Sequence, residues 1–255
     1  MASHLSCIGI PTHDRDYLAG FARDLPGRGE LLPRPDGGKL VVWRDPSGAG
    51  LVLNVDSENQ IQCVTPTFAG STRHDAVARG FEEDGKCPYC DRFVVEILDP
   101  DGRSPLPIAV QLEDIGITRP QIVPQSRLTM GLTAFAEGID IWADDKAFTS
   151  SQSGKIKIPP DMLVRTQAPA PQVMLAGRVT RSERRENTAT EGRFWYLNVR
   201  SMGTAWDVVA AEEDAPNGIA PGNVIQGMFW VVGRVFYGLR PKNRWTWVGN
   251  LFKRG

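Results

Sequence analysis

The segment 172–237 constrains the fold more than any other part of the chain, because short β-rich runs recur cleanly along it. The runs are bounded by Gly, Asn and Pro, are rich in β-branched and aromatic residues, and lie at 173–179, 194–199, 206–210 and 223–236. A charged loop at 181–191 follows the first run, and a non-strand insert at 212–222 precedes the last. This pattern predicts a small five-stranded barrel of Greek-key type.

Two local motifs support a more specific expectation: Gly177-Arg178-Val179 in the first run, and Pro221-Gly222-Asn223-Val224 where the last run opens. In this strand order the segment resembles an OB-fold domain. The resemblance implies an OB-like barrel over 167–240. Residues 241–255, which are rich in basic and aromatic side chains, form a separate tail. The resemblance does not indicate which ligand is bound, because OB barrels bind nucleic acids, sugars and proteins alike.

The front of the chain predicts a strand at 4–10, a helix that starts at Thr12 or Asp14 and ends near 23, and strands at 39–44, 50–55 and 60–64. With the phrase Trp43-Arg44-Asp45-Pro46-Ser47-Gly48-Ala49, this order resembles a glyoxalase-like, vicinal-oxygen-chelate module over 1–70. The resemblance implies an open divalent metal site, and His4 matches its first ligand position. Asn54 stands where a ligand carboxylate is expected, so the implied metal set is incomplete.

Between these modules, residues 71–166 predict a mostly β middle module. It contains a hairpin of 93–98 and 106–112, a strand at 128–142, and a short helix that is capped by Asp144 and ends at Ser150. The predicted fold class is therefore a strand-rich α+β protein: an N-terminal αβ module, a mostly β middle module and a C-terminal OB-like five-stranded barrel.

The tetrapeptide Cys87-Pro88-Tyr89-Cys90 is identical to the active-site sequence of glutaredoxins. A redox pair of this kind opens a helix, whereas a strand is predicted to follow here, so its first thiolate lacks the helix dipole. A zinc site needs two more ligands, for which the sequence offers Cys7, Cys63, His13 and His74. A plain loop or a reversible disulfide is the remaining alternative.

Strand parity singles out a binding face on the second barrel strand. If Leu197 and Val199 point inward, alternation places four other side chains outward together, namely Phe194, Tyr196, Asn198 and Arg200. Arg184 and Arg185 lie in the loop at the rim. Aromatic rings and guanidinium groups in a row suit the stacking of bases and the pairing of phosphates. The same face also suits a contact with another protein or with the rest of this chain.

Charge is unevenly distributed although the net charge is only −1. Residues 171–255 hold 12 Lys and Arg against 7 Asp and Glu, or +5, and the first 170 residues hold 17 against 23, or −6.

No apolar run reaches the roughly 18 residues that span a membrane, and residues 1–10 lack the features of a secretory signal, which favours a cytoplasmic protein.

No catalytic motif stands out, so we expect a non-catalytic binding protein that has no cofactor and whose partner is a protein. The alternatives are a metal-dependent enzyme of glyoxalase-like type centred on His4, and single-stranded nucleic-acid binding through the barrel.

Overall fold

The computed structural model describes residues 4–12, 15–83, 85, 89–99, 101–102, 107–154, 157–166 and 170–237. Over this part of the chain the protein is rich in strands and has few helices, as predicted. Its α-helices are α1 (Arg15–Asp24), α2 (Ile115–Thr118) and α3 (Asp145–Ser151). None of the described helices is long and apolar enough to cross a membrane.

The first sheet is an antiparallel meander of four strands in sequence order. They are β1 (Glu30–Pro33), β2 (Lys39–Arg44), β3 (Ala49–Val55) and β4 (Ile61–Phe68). Three of them coincide with predicted strands, and α1 coincides with the predicted helix.

The strand predicted at 4–10 was wrong. Residues Ser6–Ile8 form a 3-10 helix that ends at Gly9, whose φ of +74° suits glycine. A Cβ on Gly9 would lie 2.3 Å from the carbonyl oxygen of Gly192, so the chain approaches its neighbour too closely for any side chain. The apolar residues Cys7 and Ile8 are buried without a strand partner, because this 3-10 helix packs against the second sheet.

The second sheet contains nine strands within the described residues. They are β5 (His74–Glu82), β6 (Arg92–Ile97), β7 (Pro107–Leu112), β8 (Arg127–Trp142), β9 (Met162–Arg165), β10 (Gln172–Glu186), β11 (Arg193–Ser201), β12 (Thr204–Ala211) and β13 (Val224–Tyr237). The predicted loop after the first barrel run is shorter than expected, because β10 continues to Glu186. Asp144 caps α3 as predicted, since its side chain accepts a hydrogen bond from the backbone N–H of Ala147 at 2.7 Å.

Five of these strands pair in a closed ring, in the order β10, β11, β12, β8, β13 and back to β10. All of the pairings are antiparallel except that of β12 with β8. One strand of the ring, β8, comes from the range 71–166 that was predicted to form the middle module. The first residues of β8 also pair with β5. The strand pairing therefore crosses the module boundary expected near 166.

The first sheet meets the ring on the outer side of β11. The ring of Phe68, the last residue of β4, lies 5.0 Å from that of Tyr196 and 6.1 Å from that of Phe194, measured between centroids. The N-terminal segment is fastened to the same region, since Asn187 donates to the carbonyl oxygen of Ile8 at 2.9 Å. Packing between the sheets thus covers part of the surface that the barrel strands would otherwise expose.

Candidate functional site

A small cavity of about 140 Å³ opens where the first sheet, β8 and β13 come together. Its charged and aromatic lining comes from distant parts of the chain: Arg44, Phe68, Arg73, Glu113, Asp207, Arg234 and Phe236. We call it the arginine–phenylalanine cavity, after Arg44, Arg73, Arg234 and Phe236. Each of these residues lies at or near the end of a strand, and the tertiary packing brings them together.

Glu113 holds two of the arginines in place. Its Oε1 lies 3.3 Å from Nη2 of Arg44 and 3.2 Å from Nε of Arg234. Burial raises the pKa of Glu113 above its usual value, although both guanidinium groups act in the opposite direction. A guanidinium carries five N–H donors, and the carboxylate engages only a part of them. One buried carboxylate therefore orients two cations that keep donors for a further anion.

Phe236 provides a partly exposed aromatic ring, with 36% of its surface accessible. Its centroid lies 3.9 Å from Cζ of Arg73 and 5.5 Å from Cζ of Arg234. The ring lies against the backbone of β8, where a Cβ on Gly131 would come within 2.7 Å of it. Both guanidinium groups therefore lie in cation–π contact with a ring that is still partly exposed.

The wall of the cavity is fixed by Asp207, which is almost fully buried. Its Oδ2 accepts hydrogen bonds from the backbone N–H of Thr72 at 2.8 Å and from the hydroxyl of Thr72 at 2.6 Å. Its Oδ1 accepts one from the hydroxyl of Tyr196 at 2.8 Å. These three donors satisfy the carboxylate, so its role is structural. Three arginines against two carboxylates leave the lining with a formal charge of +1.

The face predicted on β11 is not exposed as expected. Phe194 is fully buried and Tyr196 is 3% exposed. The ring of Tyr196 is covered by Phe68 and by Arg185, whose Cζ lies 4.3 Å from its centroid. The parity argument assumed that one face of the strand meets solvent. That assumption was wrong because the first sheet packs on the outer face of β11.

The other predicted binding residues are spread over this part of the barrel. The side-chain oxygen of Asn198 accepts a hydrogen bond from Thr180 at 2.8 Å, and Arg200 is exposed. Arg184 pairs with Glu212. Arg185 pairs with Glu183 at 2.7 Å and donates to the carbonyl oxygen of Ser47 at 2.7 Å. Of the predicted set, Arg185 and Tyr196 are brought into contact as a packed pair.

Among the candidate metal ligands in the described part of the chain, Cys63 and Cys90 lie side by side, and His4 lies elsewhere. Nε2 of His4 lies 2.9 Å from Oε1 of Glu137, and its ring lies 4.8 Å from that of Trp230. Asn54 is buried and accepts a hydrogen bond from Arg34 at 3.3 Å. Cys87 lies outside the described residues, and Cys90 lies beside Cys63. Among the residues described, no group of three or more His, Cys, Asp or Glu is arranged to hold a metal ion.

The residues of the arginine–phenylalanine cavity were absent from the sequence prediction. One local signal was available: Arg234 and Phe236 are separated by two on one strand and so share a face. The others are isolated arginines and a glutamate that no short motif connects. No family model matches the chain, and comparisons with curated proteins and with solved structures found no match.

Proposed function

We propose that this protein is a non-catalytic binding protein and that its ligand is a single-stranded nucleic acid held at the arginine–phenylalanine cavity. The observation that carries the proposal is the convergence of three guanidinium groups and one partly exposed phenyl ring on a single opening. Sequence-tolerant binding of single strands uses this combination, because arginines pair with phosphates and an aromatic ring stacks on a base.

The size of the cavity supports a small anionic group over a whole metabolite. Its volume of about 140 Å³ is well below the roughly 300–1,000 Å³ of pockets that enclose drug-sized ligands. A phosphate near Arg44 and Arg234, with the adjacent base on Phe236, uses this space and leaves the rest of the strand on the surface. Glu113 supports such binding by holding Arg44 and Arg234 in position before the ligand arrives.

The distribution of charge supports a polyanionic ligand. Residues 171–237 contain 7 Lys and Arg against 7 Asp and Glu, so the excess of +5 after residue 170 belongs entirely to 238–255. This tail holds five basic residues, two tryptophans and no acidic residue, and it lies outside the described residues. In the sequence it follows directly on Tyr237, the neighbour of Phe236.

We also propose that the barrel is OB-like. The closed ring of five strands, to which β8 contributes one strand, supports this. The binding face differs from the one predicted on β11, since the first sheet covers Phe194 and Tyr196. The protein-partner hypothesis and the glyoxalase-like enzyme stay predictions. Metal analysis of the purified protein tests the latter, because a stoichiometric divalent ion that is lost in His4→Ala would favour the enzyme.

Fluorescence anisotropy with a labelled single strand of about 20 nucleotides tests the proposal directly. We expect saturable binding at roughly 50 mM salt that weakens steeply by roughly 200 mM, because phosphate contacts release counterions. Two matched titrations identify other ligands: the duplex of the same sequence, and an acidic protein of similar net charge. No binding of the single strand at low salt, or equal binding of the acidic protein, would contradict the proposal.

A further inference from the structure

Two thiols from separate sheets lie side by side. Cys63 belongs to β4 of the first sheet, and Cys90 precedes β6 of the second. Their sulfur atoms are 3.8 Å apart, although 27 residues separate them in sequence. Both side chains are only partly buried, so small oxidants in solvent have access to them.

The residues before and after Cys90 both form contacts with other segments of the chain. The hydroxyl of Tyr89 donates to Oδ2 of Asp36 at 2.9 Å, and Cζ of Arg34 lies 4.2 Å from the centre of its ring. On the other side, Asp91 is almost fully buried and forms an ion pair with Arg119. The contacts of Tyr89 and Asp91, which flank Cys90, therefore keep Cys90 in its position beside Cys63.

We propose that Cys63 and Cys90 form a reversible disulfide that joins the first sheet to the second. A disulfide has an S–S distance of about 2.05 Å, so the sulfurs must approach by somewhat less than 2 Å. Rotation about the χ1 angles of two partly buried side chains provides a movement of this size. The proposed bond is independent of the proposed nucleic-acid binding, because neither cysteine lines the arginine–phenylalanine cavity.

The oxidant is a hydroperoxide, with hydrogen peroxide as the simplest case. One thiolate attacks a peroxide oxygen, the O–O bond breaks, and a sulfenic acid and one water form after proton transfer. The second thiolate then attacks the sulfenic sulfur and expels hydroxide, which takes up a proton to give the second water. Two thiols and one peroxide thus give one disulfide and two waters, and a dithiol reductant reverses the reaction.

Cys7 provides a matched control within the same chain. It is fully buried, and its sulfur donates to the carbonyl oxygen of Ala136 at 3.1 Å. Burial raises the pKa of this thiol, so the reactive thiolate is scarce. We expect Cys7 to remain reduced in the folded protein at peroxide concentrations that oxidise the Cys63–Cys90 pair.

Cys87 offers a competing partner, because it lies three residues before Cys90. Trypsin separates the possibilities, since it releases Cys63 within peptide 45–73 and releases Cys87 with Cys90 within peptide 87–92. The full-length protein is treated with hydrogen peroxide, alkylated, digested without reductant and examined by mass spectrometry. The variants Cys63→Ser, Cys87→Ser, Cys90→Ser and Cys7→Ala are treated in parallel.

The expected product is peptide 45–73 linked to peptide 87–92. It should persist in Cys87→Ser and Cys7→Ala, disappear in Cys63→Ser and Cys90→Ser, and be removed by dithiothreitol. The oxidised Cys87→Ser protein should unfold at a temperature about 5–10 °C above its reduced form, because the bond closes a long loop. An internal bond within peptide 87–92 as the main product, or a link that survives Cys90→Ser, would overturn the proposal.

Discussion

The hydroxyl of Tyr196 donates a 2.8 Å hydrogen bond to the buried carboxylate of Asp207, on the neighbouring strand of the ring. The two side chains thereby join the barrel to the wall of the arginine–phenylalanine cavity, since Asp207 also binds the backbone of Thr72. Tyr196 is thus part of the core between the two sheets, where the sequence had suggested an exposed base-stacking residue.

Tyr196→Phe should lower the free energy of unfolding by about 1–3 kcal/mol, because it leaves one oxygen of a buried carboxylate without its donor. Tyr196→Ala should cost about 3–5 kcal/mol, because it also opens a cavity against Phe68. Chemical denaturation measures both changes, and Arg200→Ala, which changes an exposed residue near the end of the same strand, is the control, expected within about 0.5 kcal/mol. An unchanged stability of Tyr196→Ala would show that this ring does not belong to the core.

The buried histidine at the start of β5 should make the protein sensitive to acid. Burial lowers the pKa of His74 to about 4 from 6.5, and neither ring nitrogen has a hydrogen-bond partner in the described part of the chain. Between these pH values the unfolded chain binds a proton that the folded protein does not, so stability falls as pH falls. The loss from this group reaches about 3 kcal/mol near pH 4.

Denaturation midpoints between pH 7 and pH 4 measure this effect. His74→Leu should remove a large share of the decrease in stability while leaving the packing against Trp206 largely in place. The same pH dependence in the variant and the wild-type protein would assign the acid sensitivity to other groups.

Gly70→Ala should damage the cavity wall. A Cβ at this position would lie 2.1 Å from Oδ2 of Asp207, so the carboxylate must leave its bonds to Thr72. We expect a loss of about 2 kcal/mol or more in unfolding free energy. Gly20→Ala in α1 is the counterpart, with nothing within 4 Å of the added methyl, and should raise stability by about 0.5–1 kcal/mol. Equal effects of the two changes would contradict this account of the wall.

Arg73→Gln should weaken the binding of a single strand and reduce its dependence on salt. Arg73 contacts neither Glu113 nor Asp207, so its removal leaves no buried carboxylate without a partner. One lost phosphate contact lowers the slope of log K against log salt by about 0.7 for a single strand. Arg193→Gln, which removes a cation that is paired with Glu186 outside the cavity, should leave the slope unchanged. If both variants changed the slope equally, the nucleic acid would be attracted by the overall charge of the protein, and a specific contact with Arg73 would be contradicted.

Local pattern predicted many of the strands because alternation and turn residues are properties of the chain itself. β2 and β8 match their predicted ranges to within a residue, and so does the helix after Asp144. β5 was missed because Gly80 opens an acidic, glycine-flanked stretch that is typical of a loop. Pairing with β6 on one edge and β8 on the other stabilises it as a strand.

The arginine–phenylalanine cavity could not be predicted from local sequence patterns, because its residues are distant in the sequence. Arg44, Glu113 and Arg234 come from three segments that meet only after the first sheet packs on the ring and β7 pairs with β13. The exposure of β11 likewise depends on what lies outside it. The alternation of side chains along a strand shows which residues share a face. It does not show which face another part of the chain will cover.

The most direct test of the proposed function is the affinity of Phe236→Ala for a labelled single strand at low salt. Phe236 is partly exposed, so the variant should fold normally, and the lost stacking should weaken binding by about 1–3 kcal/mol, or roughly 5–150-fold. Leu31→Ala removes an exposed apolar side chain that does not line the cavity and should bind as the wild-type protein does. Equal affinities of Phe236→Ala and Leu31→Ala would contradict the claim that this cavity holds the strand.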